Sequence, residues 1–293
     1  MTVINVTVAG GTGQFGHKVV RALLADGGYQ VNVLSRTGSD NENLGNLRKQ
    51  GANIVAVDYN HYDDLVQALQ GADVLISTLL HYAAIELLPT LFRAAKAAGV
   101  RRVVPSDYVS DNTDLQYAIQ PDPTAIERAI AESQLEYTRY YCGVFYRYLT
   151  TPYIGVDLEN HKVTIFGTGN TPVSLAHEDD FARFIAASLK DPRSKNAKLG
   201  FQSSSVTLLE LVAALEKHVG AKLEVTHVPL DPAYRLIREE EMTDESDAIK
   251  QFGFEVEHKI LDPSRIDNSI CPSVHITSLD TYLADALGKQ HNA

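Results

Sequence analysis

The chain has 293 residues, 44% of them hydrophobic and 22% charged, with a formal net charge of -11 at pH 7. Such a length buries a large core, as one domain or two intimate ones, and the composition is that of an ordinary globular protein. No apolar run approaches the roughly 20 residues of a bilayer span, no basic block suits nucleic acid, and the first residues lack a signal-peptide layout, so a cytoplasmic protein with neither membrane nor nucleic-acid partner is expected.

The first predicted strand, Ile4 to Ala9, runs into Gly10-Gly11-Thr12-Gly13-Gln14-Phe15-Gly16 and then into the helical pattern HKVVRALLADG. Glycine is a poor helix former, at about 1 kcal/mol per residue against alanine. At a strand-to-helix corner the three spaced glycines acquire separate tasks. Gly10 permits the tight turn, Gly13 removes a side chain that would block a pyrophosphate, and Gly16 lets the helix lie close to the sheet. The helix start then offers free N–H groups and a positive dipole end to phosphate, with Thr12, Gln14 and Phe15 completing the corner.

Gln30 to Ser35 reads as the second strand and ends in Arg36. An NAD site places a carboxylate there, whereas a guanidinium suits the 2'-phosphate of NADP. Arg48 and Lys49 are alternative cations, and a solvated loop role for Arg36 also fits. Asn53 to Val57 is the third strand, followed by Asp58 where an adenine edge would lie. Val74 to Thr78 is the fourth, and Thr78, Leu79 and Leu80 fall beside the ribose and pyrophosphate, since ligands sit beyond the carboxyl ends of parallel strands. His81 lies in the same crevice, as a proton donor or as a surface residue.

After the helix pattern LLPTLFRAAKAAG, Arg101 to Ser106 forms the fifth strand and leads to Asp107 and Tyr108. Tyr108 is the first choice for a substrate-facing donor, with Ser106 beside it; the plainer reading has Ser106 and Asp107 capping the next segment. Ala125 to Gln134 is a helix and Leu135 to Tyr141 a strand. The tyrosines that follow suit core packing or an aromatic pocket. HKVTIFGTGNTPVSLA predicts a hairpin turning at Gly169-Asn170, and EDDFARFIAASL an acidic-started helix. His177, Glu178, Asp179 and Asp180 therefore read as a helix start and not as metal ligands, IREEEMTDESD reads as a solvated helix face, and Cys142 and Cys271 have no zinc or disulfide spacing. The expected fold is α/β: a Rossmann-like doubly wound parallel sheet over residues 1–155, with a smaller C-terminal α+β substrate lobe over 156–293, interleaved with the first and softly bounded near Gly155.

VAGGTGQFG, VDYNHYDDLVQALQGADVLIS, AAKAAGVRRVVPSDY and LEYTRYYCGVFYRYL together resemble the NmrA-like and isoflavone-reductase-like branch of the atypical short-chain dehydrogenases. The resemblance spans most of the chain and is strongest up to about Phe145. It implies NADP(H) as cofactor, PSDY at the nicotinamide end, and Tyr141, Gly143 and Phe145 at the substrate pocket. It also implies a lysine at the start of the helix before the Tyr-Thr strand, where this chain has Pro123 and Thr124; no tyrosine here has lysine four residues later either. The resemblance implies an oxidoreductase for a small aromatic or cyclic metabolite. Two alternatives stand beside it: a redox-sensing regulator without catalysis, and a non-redox cyclase, isomerase or dehydratase. A protein partner or a second copy stays open.

Overall fold

The structure is a computed structural model that describes residues 3–39, 41–110, 123–231, 234 and 242–288, without the side chains of 81, 82, 123, 124 and 245. In chain order the first part runs β1 (Ile4–Ala9), α1 (Gly16–Asp26), β2 (Tyr29–Arg36), α2 (Glu42–Lys49), β3 (Asn53–Val57), α3 (Tyr62–Leu69), β4 (Val74–Ser77), α4 (His81–Ala97), β5 (Arg102–Val104), α5 (Pro123–Ser133) and β6 (Glu136–Tyr141). There follow β7 (Val144–Phe145), β8 (Val156–Asp157), β9 (Lys162–Phe166), β10 (Pro172–Ala176), α6 (Glu178–Ser188), β11 (Ala197–Gly200), β12 (Ser204–Thr207), α7 (Leu208–Val219), β13 (Glu224–Val228), α8 (Glu245–Glu257) and α9 (Leu279–Gly288).

Seven strands make one parallel sheet in the order β11-β6-β5-β4-β1-β2-β3. Crossover helices cover both faces, so strand residues alternate between two apolar layers. Val6, Val8, Val74 and Ile76 pack with Val19, Val20 and Leu23 of α1 and Phe181, Phe184 and Ile185 of α6. Ala9, Leu75 and Val103 face Leu65, Leu91, Phe92 and Ile130 on the other side. This is the doubly wound sheet expected from the alternating apolar runs, with β1 and β3 at the predicted residues.

A third cluster gathers residues outside the seven-stranded sheet: Val144, Tyr146, Val163, Ile165, Leu175, Leu211, Leu215 and Phe252 are all buried in it. The chain passes between this cluster and the seven-stranded sheet more than once. β7 precedes Gly155 yet pairs with β10, whereas α6 and β11 follow it yet pack with the seven-stranded sheet, β11 forming its edge beside β6.

The predicted hairpin is a correction. β9 and β10 do not pair: β9 lies between β13 and β8, while β10 lies between β12 and β7. The reason lies in the loop. Gly167 and Gly169 take φ of +100° and +71°, and the Glu257 carboxylate of α8 accepts bonds from Thr168 N, Thr168 Oγ1, Gly169 N and Thr171 Oγ1 at 2.8–3.2 Å. A carboxylate satisfies the loop's donors in place of a cross-strand ladder, and the two strands part into different sheets.

α4 also begins earlier than the LLPTLF pattern suggests, because Ala84 N donates to Leu80 O at 2.8 Å and closes a first turn there. Cys142 and Cys271 are both buried free thiols. Of IREEEMTDESD, residues 237–241 lie outside the described residues; Asp244 caps α8 by accepting from Asp247 N.

Candidate nucleotide and substrate crevice

The crevice opens beyond the carboxyl ends of β1, β2 and β4, where the sheet order departs in both directions from β1. That is the switch point at which doubly wound sheets bind ligands. A cleft of about 550 Å³ there, within the ordinary range of ligand pockets, is lined by Gly10, Thr12, Gly13, Arg36 and Thr78 among others.

Each glycine of the corner has its own surroundings. Gly10 has φ +78°, and a Cβ on it would lie 2.7 Å from Thr78 O. Gly13 N donates to Gly10 O at 2.9 Å, closing the turn. A Cβ on Gly16 would lie 2.2 Å from Gly10 O and 2.5 Å from Thr78 Oγ1, so glycine is needed for α1 to approach the sheet. Gly13 differs. Its Cβ would meet only Gly10 O, at 3.2 Å, so the bare backbone faces the cleft and not packed protein. The cradle fits a pyrophosphate.

Arg36 ends β2 exposed and lines the cleft with Ser35, Ser39 and Asn41, whereas Arg48 and Lys49 are absent from the lining. Thr78, Leu79 and Leu80 also line it, Leu80 being 85% exposed. Asp58 does not. It is exposed, and its Oδ1 accepts from Asn60 N at 2.9 Å. The wall after β3 is instead Tyr59 and Asn60. Burial pushes the Tyr59 phenol up to about 12, against the opposing pull of the Gly10 backbone and the Arg36 charge. Ala83, Glu86 and Leu87 complete the lining from α4. Their helical spacing from Leu80 is the signal that an expected later helix start concealed.

Gln14 is exposed, and Phe15 turns its ring into the core, stacked on Phe181 at 5.5 Å and near Phe145 at 5.0 Å. Only their backbones are placed at the corner. Phe145 carries the Arg147 guanidinium 5.0 Å over its ring, and Arg147 also lies 3.3 Å from Glu178. Gly143 has φ +73°, and a Cβ there would lie 2.2 Å from Ser174 O, so β6 turns toward β10 only without a side chain. Tyr141 is buried, its hydroxyl 3.4 Å from Asp107 Oδ2.

Ser106 and Tyr108 both hold Ser77 at the end of β4. The Ser106 and Ser77 hydroxyls are 2.8 Å apart, and the Tyr108 hydroxyl donates to Ser77 O at 2.6 Å. Burial, with the Asp107 charge, raises the Tyr108 phenol well above its ordinary range. Its proton is thus engaged with a backbone carbonyl, which differs from a free donor facing substrate. Tyr108→Phe is expected to lower stability by about 1–2 kcal/mol, the effect of orphaning a covered carbonyl, as read by urea unfolding. His81 opens α4, but its side chain is outside the described residues. His177 and the carboxylates after it are engaged locally: Lys18 pairs with Asp179 at 2.7 Å, and Asp180 accepts from His177 and Thr277.

A parallel sheet with a glycine corner, a cationic β2 end and a cleft at its switch point defines a dinucleotide-binding protein of the Rossmann class. The NmrA-like family model matches residues 3–279, and the chain belongs to that family. It is 29% identical over 305 aligned positions to pinoresinol reductase 1 of Arabidopsis thaliana, covering 95% of each chain. It is 31% identical over 253 positions to a bifunctional pinoresinol-lariciresinol reductase of Linum perenne, covering 77% of this chain and 78% of that one. A solved structure of AtPrR2 with NADP+ and (+)pinoresinol superposes with a TM-score of 0.82 at 27% identity, over 97% of this chain and 99% of that one.

Proposed function

We propose that the protein is an NADP(H)-dependent oxidoreductase acting on a small aromatic or cyclic metabolite. The observation that carries this reading is the cleft in which the bare Gly13 backbone and the Arg36 guanidinium share one wall system. In it, the corner from Gly10 to Gly16 receives the pyrophosphate, and Arg36, with Ser39 and Asn41 beside it, receives the 2'-phosphate. When bound, NADPH supplies a hydride. The chain's own residues bind and orient: Thr78 and Leu79 line the cleft beside the glycine corner. Ser106 and Tyr108 hold Ser77, directly before Thr78, which makes positioning their part in this reading.

The first test is calorimetric titration with NADP+ and NAD+, followed by loss of reduced-nicotinamide absorbance with pinoresinol as the probe substrate. Arg36→Ala is expected to weaken NADP+ by about 1.5–3 kcal/mol, roughly ten- to 150-fold, with NAD+ little changed. Equal loss for both coenzymes would show that another group clamps the phosphate.

A second reading is binding without turnover, as in a redox-sensing regulator. It is favoured by Pro123 and Thr124 standing where the resemblance implies lysine, and by the engaged Tyr108 proton. NADPH that binds but is never consumed across an aromatic substrate panel would select it.

A further inference from the structure

Arg139 is 1% exposed, in the middle of β6. Its Nε donates to Asp107 Oδ2 at 2.6 Å and its Nη1 to Glu127 Oε1 at 2.8 Å, so one buried guanidinium joins the turn after β5 to helix α5. The same guanidinium lies 5.4 Å over the Tyr141 ring, whose hydroxyl also points at Asp107 Oδ2. Lys198, opposite Arg139 in the β11 register, supports Glu127 at 3.3 Å. The Asp107 Oδ1 atom is buried without a hydrogen-bond partner among the described residues.

Such a network is expensive. Desolvating charges offsets most of what their pairing returns, and apolar residues of similar volume often serve stability as well. What the network adds is geometry. Asp107 stands between Ser106 and Tyr108, and those two hold Ser77, the buried residue directly before Thr78 of the cleft lining. The turn is also pinned from β6, since Cys142 N donates to Tyr108 O and Gly143 N to Val109 O, both at 2.9 Å. We propose that Arg139 is a positioning residue: by clamping Asp107 against α5 it fixes the turn from Ser106 to Tyr108 and so the reacting end of the crevice. For its kinetic consequence the proposal rests on the oxidoreductase reading above.

The test compares Arg139→Met, Arg139→Lys and Glu127→Gln with the parent protein. Removing the clamp should raise amide exchange at Cys142 and Gly143 by about tenfold or more while the β1 and β2 amides stay protected. In Arg139→Met, kcat with NADPH and pinoresinol should fall roughly 100-fold, as for a misplaced reacting end, with the Kd for NADP+ unchanged. Arg139→Lys, which keeps the charge but not the fork, should recover part of kcat, and Glu127→Gln should give a milder loss. Unchanged protection at Cys142 and Gly143, or faster exchange spread evenly over the sheet, would overturn the proposal. So would an unchanged kcat in Arg139→Met. If Arg139→Met fails to fold, Arg139→Lys and Glu127→Gln decide by the same readouts. If the parent protein does not reduce pinoresinol, the assay fails at the functional reading, while the exchange pattern still decides the clamp.

Discussion

Valine at position 13 is expected to abolish detectable NADP+ binding while the protein stays folded. Within the protein, a Cβ there would meet only Gly10 O, at 3.2 Å, a tight approach relieved by a shift of a few tenths of an ångström and far milder than the clash at Gly16. The occupied side is the cleft, where a branched side chain would fill the place of a phosphate approaching the backbone. Gly16→Val gives the opposite pattern. Its Cβ falls 2.2 Å from Gly10 O and 2.5 Å from Thr78 Oγ1, so the Gly10 backbone and α1 would have to move apart. Overpacking of that kind costs about 1–3 kcal/mol or more, so this variant should lose stability first. Calorimetry and thermal melting on the pair separate the two tasks. A Gly13→Val protein that still binds NADP+ would move the phosphate seat elsewhere.

The second large effect lies outside the cleft lining. Glu255 on α8 is 2% exposed, and its carboxylate has Gln251 Nε2 at 3.4 Å as a neighbour. Burial pushes this carboxyl up to about 8, with Gln251 opposing only weakly. In the unfolded chain it titrates near the ordinary glutamate value of about 4.3. Between those values the folded state keeps a proton that the unfolded state has lost, so Glu255's contribution is fully present below the unfolded value and declines as pH rises to about 8. The slope is about 1.4 kcal/mol per pH unit. Asp107, pushed up to about 6 by burial, adds a decline of its own at lower pH, which leaves the interval above it as the clearer window. Glu255→Gln should therefore be more stable than the parent by about 3–4 kcal/mol near neutral pH and should flatten the decline there. Urea unfolding across that interval checks it. An unchanged slope would mean that the carboxyl is solvated in the folded protein.

The parts of this design that were legible in the sequence are those written locally. β1 and β3 are bounded by turn residues and fill a pleat, and the glycine spacing marks the tight turn at Gly10 and the close approach of α1 at Gly16. The rest depends on residues that meet only in three dimensions. Nothing near Gly169-Asn170 announces that Glu257, from α8, takes the loop's donors and splits the expected hairpin. Tyr59 replaces Asp58 at the cleft because the chain bends after β3, and strand alternation does not extend into a turn. Arg139 sits among tyrosines that read as packing, and only the burial of Asp107 and the approach of α5 disclose its two carboxylate partners. Ser77 is similar: a small residue closing a strand becomes the point on which two hydroxyls converge.

The edge position of β11 bears on how the molecule is made. While a ribosome is still adding residues before Ala197, β6 presents an unpaired flank, and the strand that covers it has yet to be synthesised. Uncovered flanks of that kind invite mispairing between nascent copies. Expression trouble in truncated or slowly translated forms should therefore trace to this late arrival, and a fragment ending near Gly155 should be recovered as aggregate.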